Sequence, residues 1–534
     1  MPRALRWLCL TAVVAVFPAC KGDPATPEYW DKALSSAKRS KDRVRVLDDL
    51  RSSDKLGPTF LPMLHGQLQS QKQAEVKAAI VKVIAELKDP SSLQPLTDTI
   101  EWGQADSAAN TMNKEIASAL GSLQSPQATP TLLKLLKVKD HYTRIEAINA
   151  LGSLEAKEAV APLIDIATDE NGEPFISKKA IQALGEIGDP QAVAPLVKMM
   201  FKERRGVSFY MESSYALYQL GAPAADALVP MMNGQDKAMT AWAKENRIVE
   251  PALYAKAAQV LGDLHDARAE KAMLARLSFE SEFLDMKLFV RMRMADALGR
   301  MRSKDAAKAL AGMLDEEEAT ARGEYIRALT RIGGREGIAA LVKAAGTGSW
   351  DAREPAMVGV AMLGDERELA AFDKFAKDEE GLTTAECKEW PDYAGCNEPA
   401  SLAKKHAEAI ASMRKRLEAA SECKGDGGCW AKKLDDADTG VRERAAYEVG
   451  RSGNAALVEE LTKRLAEKNL DARLAIIQAT DWLVHDSKEA AKKAQEAVPA
   501  LDKQIENERG KTEFVKVNED LRRLAVKLKR STGA

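Results

Sequence analysis

Residues 422–430 read Glu-Cys-Lys-Gly-Asp-Gly-Gly-Cys-Trp. Two cysteines around a glycine-rich turn admit four kinds of chemistry: a metal clip, a redox pair, a phosphate cradle or a covalent strap. A second pair, Cys387 and Cys396, lies upstream. Zinc sites favour gaps of two to four residues within each pair. The gaps here are eight and five, which disfavours metal. The five histidines, His65, His141, His265, His406 and His485, are scattered along the chain and are followed by Gly, Tyr, Asp, Ala and Asp. His265-Asp266 and His485-Asp486 are the nearest approach to a ligand pair, and both read as surface or turn positions. The sequence has no Gly-x-Ser-x-Gly elbow, phosphate loop or zinc-protease helix. The expectation is therefore no catalytic residue, no metal and no cofactor.

What these residues do depends on compartment and on the elements that hold them. Arg3 and Arg6 precede an apolar run from Trp7 to Ala19 that stops at Cys20, the layout of a signal peptide. The run would be roughly 20 Å long as a helix, short of the ~30 Å hydrocarbon core. Phe17-Pro18-Ala19-Cys20 resembles the lipobox of bacterial lipoproteins, although Phe17 and Pro18 depart from the usual residues. The resemblance implies that Cys20 is lipidated and becomes the mature N-terminus, anchored to the bilayer of the bacterial cell envelope. Lys21 in place of an Asp leans this towards the outer membrane, with soluble secretion as the alternative. Residues 1–19 carry two cations and no acid, so their removal takes the net charge from −2 to −4. Such a balance offers no surplus of Lys and Arg for nucleic acid.

At 534 residues, with charged residues at 30% and aromatics at 5%, the chain reads as all-α and as an array rather than one core. Residues 177–200 show the unit. Ala180, Leu184 and Ile187 fall on one helical face, and Val193, Leu196, Val197 and Met200 on another. Between them Gly188 can end a helix in the left-handed region, Asp189 can cap the next and Pro190 suits its first position. The Leu-Gly step recurs at Gly121, Gly152, Gly185, Gly221, Gly262, Gly299 and Gly364, with Ile332-Gly333 and Val449-Gly450 in the same place, which points to close helix approach or helix termination. Weaker counterparts stand at Leu50, Leu87, Met413 and Trp482. Pro162 and Pro195 sit past the expected start of the second helix, so that helix either kinks or begins later.

This spacing, with Ala-Leu-Gly-x-Ile-Gly-Asp-Pro and Ala-Val-x-Pro-Leu, resembles the short HEAT-like repeats of phycobilisome lyases over about residues 34–500. The resemblance implies a right-handed α-solenoid of about 12–13 helix pairs, with second helices lining a concave face and a length on the order of 100 Å. HEAT-type di-iron hydroxylases use His-Glu dipeptides as ligands, and this chain has none. The expected divisions are 1–19 signal peptide, 20–33 lipidated N-terminus and tether, 34–380 repeats, 381–436 a degenerate repeat with cysteine-bearing loops, 437–504 further repeats and 505–534 a helical cap.

Export makes disulfides the leading role for Cys387, Cys396, Cys423 and Cys429. In the repeat register Cys423 and Cys429 flank an intra-unit turn, and Cys387 and Cys396 an enlarged connection. Local pairing is expected; crossed pairing, metal and free thiols stay open. Insertions at about 201–212, 233–252 and 277–292 carry Phe201, Arg204, Arg205, Phe209, Tyr210, Trp242, Phe279 and Phe283, a concentration of interface-forming residues. Some of these rings, Tyr210 and Phe283 especially, can instead pack under lengthened helices. The expected function is a non-enzymatic, lipid-anchored envelope scaffold that binds a protein partner. Two alternatives stand beside it: a HEAT-repeat enzyme of lyase or metal-dependent hydroxylase type, and a glycan or peptidoglycan reader.

Overall fold

A computed structural model of the chain describes residues 22–103, 106–314 and 318–530. Signal segment 1–19 and Cys20 lie outside the described residues. The fold is an all-α solenoid. Among the described residues thirteen helix pairs follow one another, from Ser40–Arg51 with Leu61–Ser70 to Leu470–Asp486 with Lys488–Ala494. The only strands described, Glu203–Arg204 and Val207–Ser208, form a two-residue-turn hairpin. The tether expected over 20–33 is partly folded, because Pro27–Ser36 is helical and buries Trp30, Ala33 and Leu34.

The punctuation of the pair is local chemistry. Helix Pro174–Ile187 ends on Gly188 at φ +71, and the Asp189 carboxylate accepts from the Gln191 amide at 2.9 Å. A 3₁₀ turn, Pro190–Ala192, then leads into helix Val193–Met199. Pro195 thus sits in the first α-helical turn, where an amide has no intrahelical acceptor. Pro162 occupies the same place in helix Val160–Thr168. The second helix begins later than the cap and does not kink there.

The recurring glycines serve packing. A Cβ on Gly121, Gly152, Gly262, Gly299 or Gly450 would lie 2.8–3.1 Å from the Cα of Ala150, Ala183, Ala297, Ala328 or Ala479 respectively, each in the next first helix. Successive first helices therefore touch backbone to backbone. Gly221 and Gly333, at φ +67 and +80, end their helices instead.

The chain divides into two compact units at 216/217, inside helix Tyr210–Leu220. The divisions expected at 380/381 and 436/437 fall within the second unit. That unit does not extend. First helices Glu250–Leu264, Leu284–Arg300, Ala319–Ile332 and Trp350–Leu363 run outward, the long helices Leu369–Glu389 and Pro399–Cys423 reverse the direction, and Thr439–Arg451, Leu470–Asp486 and Val515–Arg530 return against them. The returning half caps the outgoing half. Trp482 Nε1 donates to the Arg300 carbonyl at 2.8 Å, Arg451 to Thr330 at 2.6 Å and Arg444 to both Ala361 and Gly364 at 2.6 Å. These are C-terminal carbonyls that a helix cannot satisfy itself. The interior of this unit is lined by the C-terminal ends of first helices, not by second helices as expected. The reason is the glycine–alanine contact, which draws first helices closest together.

Candidate functional site

The strap at 422–430 is a turn between two helices. Cys423 ends helix Pro399–Cys423, Lys424 and Gly425 take left-handed φ values of +44 and +82, and Asp426 accepts from the Gly428 amide at 2.9 Å, as Asp189 does in the clear repeat. Cys423 is joined to Cys429, with Cα atoms 5.3 Å apart, and Cys387 to Cys396, at 5.1 Å. Trp430 is buried beneath the Arg444 guanidinium, 5.4 Å from the ring centre. Both bridges brace the long helix pair where the second unit reverses. Between them Arg353 and Glu379 pair in the core, and the His406 ring stacks on Trp350 at 3.8 Å.

His485 is exposed and His265 sits in a turn, as expected, but the His265 side chain points inward. His265, in the left-handed slot that Gly188 fills elsewhere, is buried, its Nε2 2.9 Å from an Asp481 carboxylate oxygen. Its ring lies 4.6 Å from that of His485, although 220 residues separate them in sequence. Lys527 also reaches Asp481. Burial and the neighbouring Lys527 push His265 down to about 4, and burial lowers His485 as well. Burial alone would raise Asp481, but Lys527 and His265 overcome it and hold the carboxyl below the usual carboxylate range. Asp296 behaves likewise: Arg300 and Arg331 outweigh its burial, with Arg300 at 3.2 Å and Arg331 at 2.6 Å. Arg300 and Arg523 hold Asp263, each at 3.0 Å. The cavity in this cluster, lined by Tyr218, Asp263, His265, Arg300, Asp481 and Arg523, is small, so it holds water at most. Among the described residues no group of three or more His, Cys, Asp or Glu side chains could hold a metal ion.

The eight residues expected at a binding edge are divided by their surroundings. In the first unit the hairpin turns at Arg205 and Gly206, φ +52 and +75, the geometry of a tight primed turn. Arg204 lies 5.2 Å from the Phe209 ring centre and donates to Ser177 Oγ at 3.0 Å. Phe209 is fully buried, a packing residue rather than a contact. Arg205 is exposed, 3.6 Å from Glu173. Phe201 and Tyr210 are half-buried. In the second unit Trp242 is half-buried in helix Lys237–Glu245 and Phe279 in the loop before helix Leu284–Arg300. Phe283, the N-cap of that helix, is 68% exposed. The packing alternative thus applies to Phe209 and fails for Phe283.

A different pattern emerges from exposure. The large apolar side chains that stand exposed are Trp102, Tyr142, Phe175 and Met211 in the first unit and Val249, Phe283, Leu284, Trp390, Leu470 and Val515 in the second. Nine of these ten lie in a connection from a second helix to the next first helix or in the first two residues of that first helix; Val515 opens helix Val515–Arg530, beyond the thirteen pairs. The insertions lie on the same edge. Tyr142, Phe175 and Met211 are each the second residue of their helices, His141–Ser153, Pro174–Ile187 and Tyr210–Leu220. All three stand ten residues before the Leu-Gly glycine. That register is legible in the sequence, but it is set apart from the insertions because two of the three residues lie in repeats of ordinary length.

Fold and edge together define an α-solenoid of HEAT-like repeats. Residues 104–177 and 129–207 match the HEAT repeats family. Over 82 residues, 15% of this chain, the sequence is 30% identical to phycocyanobilin lyase subunit alpha of Synechococcus elongatus. The chain spans about 30% of the length of that relative. Among solved structures, the karyopherin Kap121p aligns with 95% of this chain and 75% of its own at 10% identity and a TM-score of 0.42. The complex of CpcE and CpcF of phycocyanin lyase from Nostoc sp. PCC7120 aligns with 59% of this chain and 97% of its own at 18% identity and a TM-score of 0.23. Neither likeness says what this chain binds.

Proposed function

We propose that this protein is a non-enzymatic scaffold of the bacterial cell envelope, anchored by a lipid on Cys20, that binds another protein along the edge where second helices meet first helices. One observation carries the reading: among the described residues, nine of the ten exposed large apolar side chains lie at these handovers, in each unit by itself. Scattered exposed apolar residues are ordinary, whereas their concentration at the handovers within each unit supports an interaction surface there. No described helix is long and apolar enough to cross a membrane. In-cell crosslinking with mass spectrometry tests the reading. Crosslinks from residues beside Tyr142, Phe175 and Phe283 to a recurrent partner are expected; a set of crosslinks no richer at this edge than elsewhere overturns it. The enzyme reading has the 82-residue match to the lyase behind it, and metal content or a bound chromophore copurifying with the protein would favour it.

A further inference from the structure

The returning half of the second unit has an apolar core of its own. From Ala419 to Leu528 its buried apolar side chains form one cluster, and among the described residues that cluster takes in only Met362 from the outgoing half, with Val358 packed against it. Both belong to helix Trp350–Leu363, next to the long pair where the chain reverses. Along the rest of the seam, hydrogen bonds and ion pairs join the halves. Beyond the carbonyl caps of Arg444, Arg451 and Trp482, Arg523 reaches Asp263 at 3.0 Å, Arg300 reaches Asp520 at 3.6 Å and Arg302 reaches Asp486 at 2.5 Å. Arg530 donates to the Tyr218 carbonyl at 3.0 Å, and the Tyr218 hydroxyl to the Arg523 carbonyl at 3.1 Å. Such groups exchange one set of hydrogen bonds for another with water when they part, whereas an apolar seam would forfeit its burial outright. The two halves are thus packed bodies meeting at a hydratable seam, with the long pair as their covalent link.

We propose that the second unit is an acid-opened clamp: its returning half swings off its outgoing half about the long helix pair, with each half staying folded, and His265 is the trigger. His265 stands on the outgoing half, directly after helix Glu250–Leu264. The groups facing it belong to the returning half: Asp481 at 2.9 Å, the His485 ring at 4.6 Å, and Lys527, which reaches the same Asp481 from helix Val515–Arg530. Tyr218, Asp263 and Arg300 of the outgoing half and Asp520 and Arg523 of the returning half complete the cavity beside it. While the clamp is shut, burial and Lys527 keep His265 neutral down to about 4. Opening returns the ring to water, where it protonates near 6.5. The open form therefore binds the extra proton, and opening is favoured as pH falls from 6.5 towards 4. One histidine with that difference raises the opening constant roughly thirtyfold between pH 7.5 and pH 5. Asp481, held low in the shut form, works in the same direction. Burial raises Asp263, which works against it, so a variant lacking His265 is what assigns the trigger. The two bridges, on the connections of the long pair, hold the pivot together while the seam parts.

The test uses the full chain in a Cys20→Ala background, with spin labels at Lys304→Cys and Glu489→Cys, exposed positions on the outgoing and returning halves, and reads their separation by pulsed electron resonance. One short separation is expected at pH 7.5. At pH 5 a second, longer one should grow at least tenfold while circular dichroism keeps its helical signal. Arg451→Gln with Asp486→Asn removes two ties of the seam and should raise the longer population at both pH values. His265→Asn, a residue that tolerates the left-handed φ of +56 at this position, should give the same populations at pH 7.5 and pH 5. A single separation in the parent and in the loosened variant alike overturns the proposal. So does a longer separation that comes only with loss of the helical signal, because the unit then unfolds as one body. A pH response that survives in His265→Asn overturns the trigger and, with it, the acid-opened clamp. The scaffold reading is tested separately, by its crosslinks, and none of these outcomes decides it.

Discussion

His265 shows how one side chain ties stability to pH. Its buried side chain faces Asp481, Lys527 and His485 and stays neutral down to about 4, whereas in the unfolded chain it protonates near 6.5. Above pH 6.5 both states are neutral and the stability is fully present. As pH falls from 6.5 towards 4 the unfolded state takes up the proton first, so stability is lost across that window. His485, lowered in the same direction, adds to the trend. Thermal melts should show the melting temperature falling over this range, and His265→Gln should flatten the slope; an unchanged slope would mean that another group sets it. Gly299 is a second residue-scale case. With Ala328 Cα 2.9 Å from any added Cβ, Gly299→Ala forces two first helices apart and should cost about 1–3 kcal/mol in urea unfolding. The same change at Gly188 has open space around it, and its cost is only that of a left-handed φ.

At the scale of elements, the long pair Leu369–Glu389 and Pro399–Cys423 is where the second unit reverses, and both bridges lie at its connections. Each closes a short loop, so breaking one should cost about 2–3 kcal/mol. Double replacement of Cys387 and Cys396 by Ser should lower the melting temperature and open the 390–398 connection to limited proteolysis. Replacement of Cys423 and Cys429 should leave that connection resistant. Reducing agent added to the parent should reproduce both effects together. The turn, cap and 3₁₀ start of each second helix were legible in the chain because they depend on residues within four or five positions. The later start left by Pro162 and Pro195 was narrowed to two alternatives, and only the backbone decided between them.

For the whole molecule, the second unit's closure rests on side chains that cap distant helices. Arg451 reaches a carbonyl 121 residues away and Trp482 one 182 residues away. Arg451→Ala should destabilise by about 2–4 kcal/mol, because it removes a charged donor and strands a partly buried carbonyl. Calorimetry should assign the loss to the second unit's transition, with the first unit unaffected. Cys20→Ala should release the protein from the membrane fraction on cell fractionation; continued attachment would refute the lipid anchor.

The sequence by itself determined the helical repeat, its register and its turns; it favoured local pairing of the four cysteines, and the structure then joined Cys387 to Cys396 and Cys423 to Cys429. Each of these depends on neighbours along the chain, and repetition prints the same signal many times. Tertiary structure alone decided that the second unit doubles back, that His265 and His485 meet, that Phe209 is core while Phe283 is exposed, and that first helices line the interior. Contacts between helices more than a hundred residues apart leave no period in a sequence. Exposure, too, is a property of what packs on a residue rather than of its type.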